Sequence, residues 1–278
     1  MGRQPFDGVG FALAATWCLC VTLALDLIGD SGASWAGTAT LGAGAAAAAP
    51  LLWRHLRRHA HPLIDPAPFK VPTFRLTMLA GSAMRTLIGT MPFLLPLLFQ
   101  LGFGMDPFHA GLLVLALFAG NLGIKPLTSA VLRRFGFRAV LVGNGLVQAA
   151  TMLGFAAMTA AVPRGAVVAL LAVSGASRSL QFTALNALAF ADVPQPWMAP
   201  ANTWFSVAFQ LSIGLGVAVG AVALRLASAA DGITVPGLVE FHLAFAAVAL
   251  CMACTALAGL RLAANAGLVV IAERGKTG

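Results

Sequence analysis

Charge is the commodity this chain lacks. Only 9% of its 278 residues are charged, where an ordinary soluble domain carries about 25%. So little charge cannot clothe a globule of this size in water, which excludes a conventional soluble enzyme. Nor is there a glycine-rich nucleotide-binding loop, so a primary pump would need its ATP-binding motif elsewhere. A nucleophile–base signature and a zinc pattern are missing too, and His242 at the start of the last apolar run has no evident partner for intramembrane catalysis. Cysteine is scarce: Cys18, Cys20, Cys251 and Cys254 all sit inside apolar runs. Cys251 and Cys254 have C-x-x-C spacing, but Leu250, Met252 and Ala253 around them are helical and apolar, so the cysteines read as buried small hydrophobes rather than a redox or metal pair. No cleavable signal peptide is expected, because the first apolar run is followed by many more.

What the chain has is apolar length: 59% of it is hydrophobic. Eight runs stand out, at residues 8–29, 35–53, 76–102, 109–132, 139–161, 165–190, 200–227 and 239–260. A helix of about 20 residues crosses a hydrocarbon layer of roughly 30 Å. Lipid cannot satisfy backbone N–H and C=O groups, so helix is the form expected of each run. Thirty glycines suit close helix contacts in a bilayer. The fold class is therefore all-α, a polytopic transmembrane helix bundle of about eight spans, with the lipid bilayer as its first partner.

The net charge of +8 is not a nucleic-acid footprint. Its cations sit between the apolar runs, on alternate sides. Arg3, Arg54, Arg57, Arg58, Lys70, Arg75, Arg133, Arg134, Arg138, Arg261, Arg274 and Lys276 fall on one side, and only Arg164 and Arg225 on the other. The positive-inside rule puts the basic side, with both termini, in the cytoplasm. The gap from Arg54 to Arg75 is the longest and holds Pro62, Pro66, Pro68 and Pro72, which cannot continue a helix. The expected organisation is two helices over residues 1–53, a cytoplasmic linker over 54–75, a six-helix domain over 76–262 and a cytoplasmic tail over 263–278. His55, His59 and His61 in that linker suggest metal ligands, but Arg54, Arg57 and Arg58 beside them repel a cation. A basic interface is the reading adopted; no metal and no cofactor is expected.

Ionisable groups within spans are costly and become functional candidates by default. Arg85, Lys125 and Arg178 are the cations, and Asp26 lies near the end of the first run. Polar neutral residues accompany them, among them Gln100, Asn144, Gln148, Gln181, Asn186 and Gln210. Arg178 stands in the polar stretch Ser174–Thr183. Gln181 is three residues on, near the same helix face, and Asn186 about two turns on. Two readings fit: a substrate or gating contact, and an interhelical hydrogen-bond clamp. Arg85 and Lys125 also have the option of snorkelling to the interface. Pro92 and Pro96 are expected to bend the third run. Gly214, Gly216 and Gly220 offer a small-residue face for packing within the bundle.

Several stretches together resemble the fourteen-helix drug:proton antiporter branch of the major facilitator superfamily. They are Pro5–Phe11, His61–Asp65 with Phe69 and Phe74-Arg75, Met91–Gln100 with Gly102 and Pro107–Gly111, Arg133–Arg138, Ser179–Asn186, Asp192–Pro194 and Gln210–Ser212. The resemblance runs from about residue 5 to 262. In the basic loop Arg133, Arg134, Gly136 and Arg138, Arg133 stands where the family has an acidic residue, which departs from that loop's charge-relay pattern.

The resemblance implies that the first two spans are the family's extra central helices and that the next six are its C-terminal half. It also implies that six earlier helices are lacking. Those helices carry the antiporter motif and, in many members, the carboxylate that couples protons. The expected function is multidrug efflux by drug/proton antiport from the inner membrane, with a drug-like small molecule and protons as partners once an N-terminal half completes the carrier. The chain is expected to be truncated or one part of a split transporter. The alternative is a non-transporting membrane scaffold. On the transporter reading the substrate cavity is walled by Arg85, Gln100, Arg178, Gln181, Asn186 and Gln210.

Overall fold

Asp7 starts the first helix: its carboxylate accepts the Gly10 backbone N–H at 2.8 Å, as an N-cap does. From there the chain, seen in a computed structural model, is a series of helices joined by short loops, with no strand among the described residues, 7–29, 35–59, 61–230 and 236–261. Helix α1 spans Gly8–Gly29 and α2 spans Trp35–Arg58, followed by α3 (Pro72–Ile88), α4 (Met91–Leu97) and α5 (Pro107–Gly123). The last four are α6 (Lys125–Ala156), α7 (Arg164–Phe190), α8 (Met198–Ala230) and α9 (Leu238–Ala258). The expected tail 263–278 and the stretch Met1–Phe6 lie outside the described residues, as does the side chain of Asp26.

Among the described residues six helical stretches are long and apolar enough to cross a membrane: within 8–25, 72–102, 125–156, 164–190, 195–229 and 238–258. The chain is a multi-pass membrane protein of helical-bundle architecture. Two of the eight apolar runs fall outside that six. Helix α2, though 24 residues long, is rich in Ala and Gly and ends on His55, Arg57 and Arg58. Helix α5 is short, at 17 residues. It stops because Pro126 has no N–H for the Leu122 carbonyl; the chain then turns helical again at Lys125.

Gly136 divides α6. With φ +74° and ψ 164° it leaves the helical region altogether, a conformation open to glycine and costly for other residues. Residues 125–135 therefore continue the fourth apolar run, and 137–156 form the fifth. The basic loop is one glycine wide.

The third run bends as its prolines require, though the interruption begins a turn earlier than the first of them. Helix α3 ends at Ile88 and α4 starts at Met91, because the Pro92 ring would collide with the Ile88 carbonyl. Beyond Pro96 the helix widens into a π turn, Leu98–Gly102, closed by the Phe103 N–H on the Leu98 carbonyl at 3.0 Å.

Helices α3 to α9 surround a core that includes Leu94, Phe99, Met152, Phe155, Phe241 and Phe245, all buried. Glycine sets the closest crossings. A Cβ on Gly120 would lie 1.9 Å from the Ala172 carbonyl oxygen, and one on Gly175 would lie 1.8 Å from that of Leu117. Helices α5 and α7 thus touch backbone to backbone, the contact that small residues permit in membranes. Gly216 meets Gly89 in the same way across α8 and α3. Helices α1 and α2 form a hairpin that leans on α8, with Leu25 against Gly214.

The linker is shorter than expected and is folded. Helix α2 runs on to Arg58, and a 3-10 turn at Ala67–Lys70 leads directly into α3. Phe69 holds the turn down, edge-on to Trp53, Phe74 and Trp204 at 5.2–5.3 Å. The Trp204 indole N–H donates to the Asp65 carbonyl at 3.0 Å.

Candidate functional site

The polar stretch of α7 does two separate things. Gln181 is fully buried, and its amide is engaged at both ends. Its oxygen accepts from Asn144 at 2.7 Å, and its NH2 lies 3.2 Å from the Leu141 carbonyl and 3.0 Å from the Met84 sulfur. Asn144 also donates to the Ser177 carbonyl at 2.8 Å, the Ser177 hydroxyl donates to the Asn144 carbonyl at 3.2 Å, and Gln148 donates to Ser174 at 3.2 Å. This network clamps α6 to α7, so the clamp geometry is realised at Gln181.

Arg178 is turned away from the clamp. It is half-buried with its guanidinium 5.5 Å from the Phe182 ring, and its Nε has no hydrogen bond among the described residues. Phe182 in turn meets Phe209 of α8 at 5.8 Å, Phe209 meets Phe205 at 6.3 Å, and Phe205 meets Phe190 at 5.2 Å. Arg85 of α3 lies beneath this row. It is completely buried, its guanidinium stands 4.6 Å from the centre of the Phe205 ring, and none of its three nitrogens has a hydrogen bond among the described residues. The result is an aromatic wall across α7 and α8 with a cation near each end.

Asn186, exposed, continues the Arg178–Phe182 row one turn further on α7, and Gln210 is exposed beside Phe209 on α8. Gln100 is remote from this group: it sits half-buried in the π turn, beyond α4. Lys125 is exposed at the α5–α6 break. Of the basic loop, Arg133 and Arg134 are exposed and Arg138 half-buried, and Arg134 reaches the ring of its neighbour Phe135 at 5.7 Å. His242 is bonded to the Met158 carbonyl at 2.7 Å. Among the described residues no carboxylate lies on the aromatic wall. Glu240 is buried but spends an oxygen on the Gly237 N–H at 2.7 Å.

The four phenylalanines went unnoticed as site residues because each reads as a span residue. A signal was present: Phe205 and Phe209 are four apart, as are Arg178 and Phe182, so each pair shares a face.

A second polar cluster is less visible in sequence. Asp7 accepts from His55 at 2.8 Å and from the Leu63 N–H at 3.0 Å as well as from Gly10. Burial opposes its charge, but the Gly10, His55 and Leu63 hydrogen bonds outweigh that and hold the carboxyl below its ordinary value. Asp7, His55 and His59 could together face a metal ion. The Asp7 oxygens are already satisfied by protein donors, so the cluster needs none to be stable. At the far side of the hairpin an apolar cavity of about 550 Å³ lies among Leu25, Leu87, Leu215, Val222 and Leu243.

Similarity to known proteins agrees with this architecture. The family model described as Major Facilitator Superfamily matches residues 8–217. A protein named putative multidrug resistance protein MdtD from Cronobacter sakazakii is 34% identical over 224 residues, covering 81% of this chain and 48% of the relative. Proteins of the same name from Salmonella heidelberg and Salmonella typhi are each 33% identical over 223 residues, covering 80% of this chain and 47% of the relative. The chain spans about half the length of the curated relatives it matches. On the family match and the membrane-spanning helical bundle together, the chain belongs to the Major Facilitator Superfamily.

Proposed function

We propose that this chain forms the C-terminal half of a multidrug efflux carrier that exchanges drug-like molecules for protons across the cell (inner) membrane, with both chain ends in the cytoplasm. The observation that carries the reading is the wall of Phe182, Phe205 and Phe209 with Arg178 and Arg85 at its ends. Phe182 and Phe209 are half-buried and Phe205 is buried between them, and the open edges of such a row offer stacking surface to flat aromatic solutes. An unpaired cation there is expensive and marks a face meant for something other than lipid. The relatives named multidrug resistance proteins support a substrate of that kind. The two arginines favour neutral or acidic aromatic molecules over cations.

In carriers of this architecture substrate binds near the midplane between two halves that rock against each other. Arg178, Asn186 and Gln210 then face the cavity directly. Arg85 acts from behind Phe205, and Gln181 holds the wall in place. Gln100 lines the cavity's outer end. With no carboxylate on this wall among the described residues, the proton-coupling group has to come from the opposing half. A scaffold without transport is the second reading, favoured by that same lack of a coupling carboxylate. Liposomes holding the purified chain separate the two when tested with and without a co-expressed N-terminal six-helix segment from an MdtD relative. A proton gradient is expected to drive an aromatic dye only in the paired liposomes, and Arg178→Ala is expected to abolish that flux. Gradient-driven flux by the chain alone would overturn the half-carrier reading; none in either preparation would favour the scaffold.

A further inference from the structure

The linker, the last turns of α2 and the first two turns of α3 enclose a cleft of about 900 Å³ that the transport reading does not use. Its polar rim carries Arg57, Lys70 and Arg75. All three are exposed, and none has an ion-pair or hydrogen-bond partner among the described residues. Asp65 is the cleft's one carboxylate, and it spends an oxygen on the Ala67 N–H at 2.9 Å. Most of the remaining lining is apolar, with Trp53 and Leu79 one helix turn from Arg57 and Arg75 on the same faces. Leu79 is 69% exposed. Trp53 is anchored against Phe69 at 5.2 Å and Trp204 at 6.2 Å. The cleft therefore passes from a triple cation to an aromatic and aliphatic surface over one turn of each helix, between the end of α2 and the start of the membrane-spanning stretch that begins with α3.

A small inorganic anion would use only the rim, and a neutral solute only the apolar lining. A molecule with an anionic head and a hydrocarbon tail uses both. Tryptophan belongs at headgroup depth, and basic pockets between membrane helices bind anionic headgroups. We infer that this cleft is a binding site for an anionic glycerophospholipid, its phosphate between Arg57, Lys70 and Arg75 and an acyl chain along Leu79. Bound there, the lipid ties the end of α2 to the start of α3 and so braces the α1–α2 hairpin on the bundle. The site does not depend on whether the chain transports anything.

The full chain, purified in a neutral detergent, is assayed by native mass spectrometry and thermal unfolding with phosphatidylglycerol, phosphatidylcholine or inorganic phosphate. Phosphatidylglycerol is expected to remain bound and to raise the melting temperature, whereas phosphatidylcholine is not. The triple variant Arg57→Gln, Lys70→Gln, Arg75→Gln is expected to lose about tenfold or more in retained lipid, given the attraction of each basic residue to an anionic surface. Arg133→Gln with Arg134→Gln, basic residues that do not line this cleft, is expected to keep it. Photoactivatable phosphatidylglycerol is expected to label Trp53 or Leu79 in the unmodified chain, which needs no variant to fold. Equal retention of the two lipids, labelling elsewhere, or full protection by millimolar phosphate would each overturn the assignment, the last by naming a free anion as the ligand.

Discussion

Gln181 and Arg178 sit three residues apart on one helix and end up with opposite surroundings. Three residues leave a separation of about 60° around the axis. That is enough to put Gln181 into α6 and Arg178 beside Phe182. Sequence could single out both but could not divide them, because spacing within α7 says nothing of which neighbour lies on which side. The same limit hid Arg85 beneath Phe205 of a helix 120 residues later. A guanidinium over a desolvated ring gains about 2 kcal/mol, less than the several kcal/mol lost on burying a cation. Arg85 is therefore retained for something other than fold stability. Arg85→Met is expected to leave the melting temperature unchanged or higher, since no hydrogen bond among the described residues is lost. Gln181→Leu removes its bond to Asn144 and is expected to cost about 1 kcal/mol. Thermal unfolding in detergent compares them; a larger loss for Arg85→Met would make the arginine structural.

At the scale of elements, most runs and the bend near Pro92 were legible, the break before Pro126 and the reach of α2 to Arg58 were not, and neither were the crossings. Proline and glycine act locally, so the bend near Pro92 and the turn at Gly136 could be read from the chain. The early end of α3 at Ile88 follows from the reach of a proline ring back to the fourth preceding carbonyl. A crossing depends on two distant segments, and nothing in Gly120 or Gly175 by itself says that they face one another. The sequence drew attention to Gly214, Gly216 and Gly220 instead. Gly216 and Gly220 do pack within the bundle and Gly214 meets Leu25 of the hairpin, but among the described glycines the tightest approach is between α5 and α7. A methyl on Gly175 would sit 1.8 Å from a backbone oxygen, which no rotamer can relieve. Gly175→Ala must push α5 from α7, and overpacking of this kind costs about 1–3 kcal/mol or more. Gly165→Ala, which meets open space, is the control. A lower melting temperature and less monodisperse protein are expected for the first variant only.

The whole molecule is a hairpin leaning on a bundle, and its lean is secured at both ends. At one end Leu25 meets Gly214. At the other, Asp7 joins the start of α1 to His55 on α2 and to the linker at Leu63. Run length and the one-sided distribution of cations made the membrane-spanning architecture legible, because both follow from bilayer physics. The Asp7 tie was not, since its partners lie 48 and 56 residues away. Its hydrogen bonds hold the carboxyl below the ordinary value in the folded chain, so folding favours the carboxylate over the acid. The stability this adds is complete above the ordinary carboxylate range and is lost as pH falls through the depressed folded value. Asp7→Asn keeps an N-cap acceptor but makes the bonds to Gly10, His55 and Leu63 neutral, and is therefore expected to lower stability at neutral pH by about 1 kcal/mol, the difference between a charged and a neutral hydrogen bond. The gap to the unmodified chain should close on acidification, as the unmodified Asp7 takes up its proton. Melting curves of both proteins from neutral to strongly acidic pH measure it. A gap that stays constant would mean that Asp7 contributes shape and not charge, and the tie between hairpin and linker would have to be assigned to packing around Trp53 and Phe69.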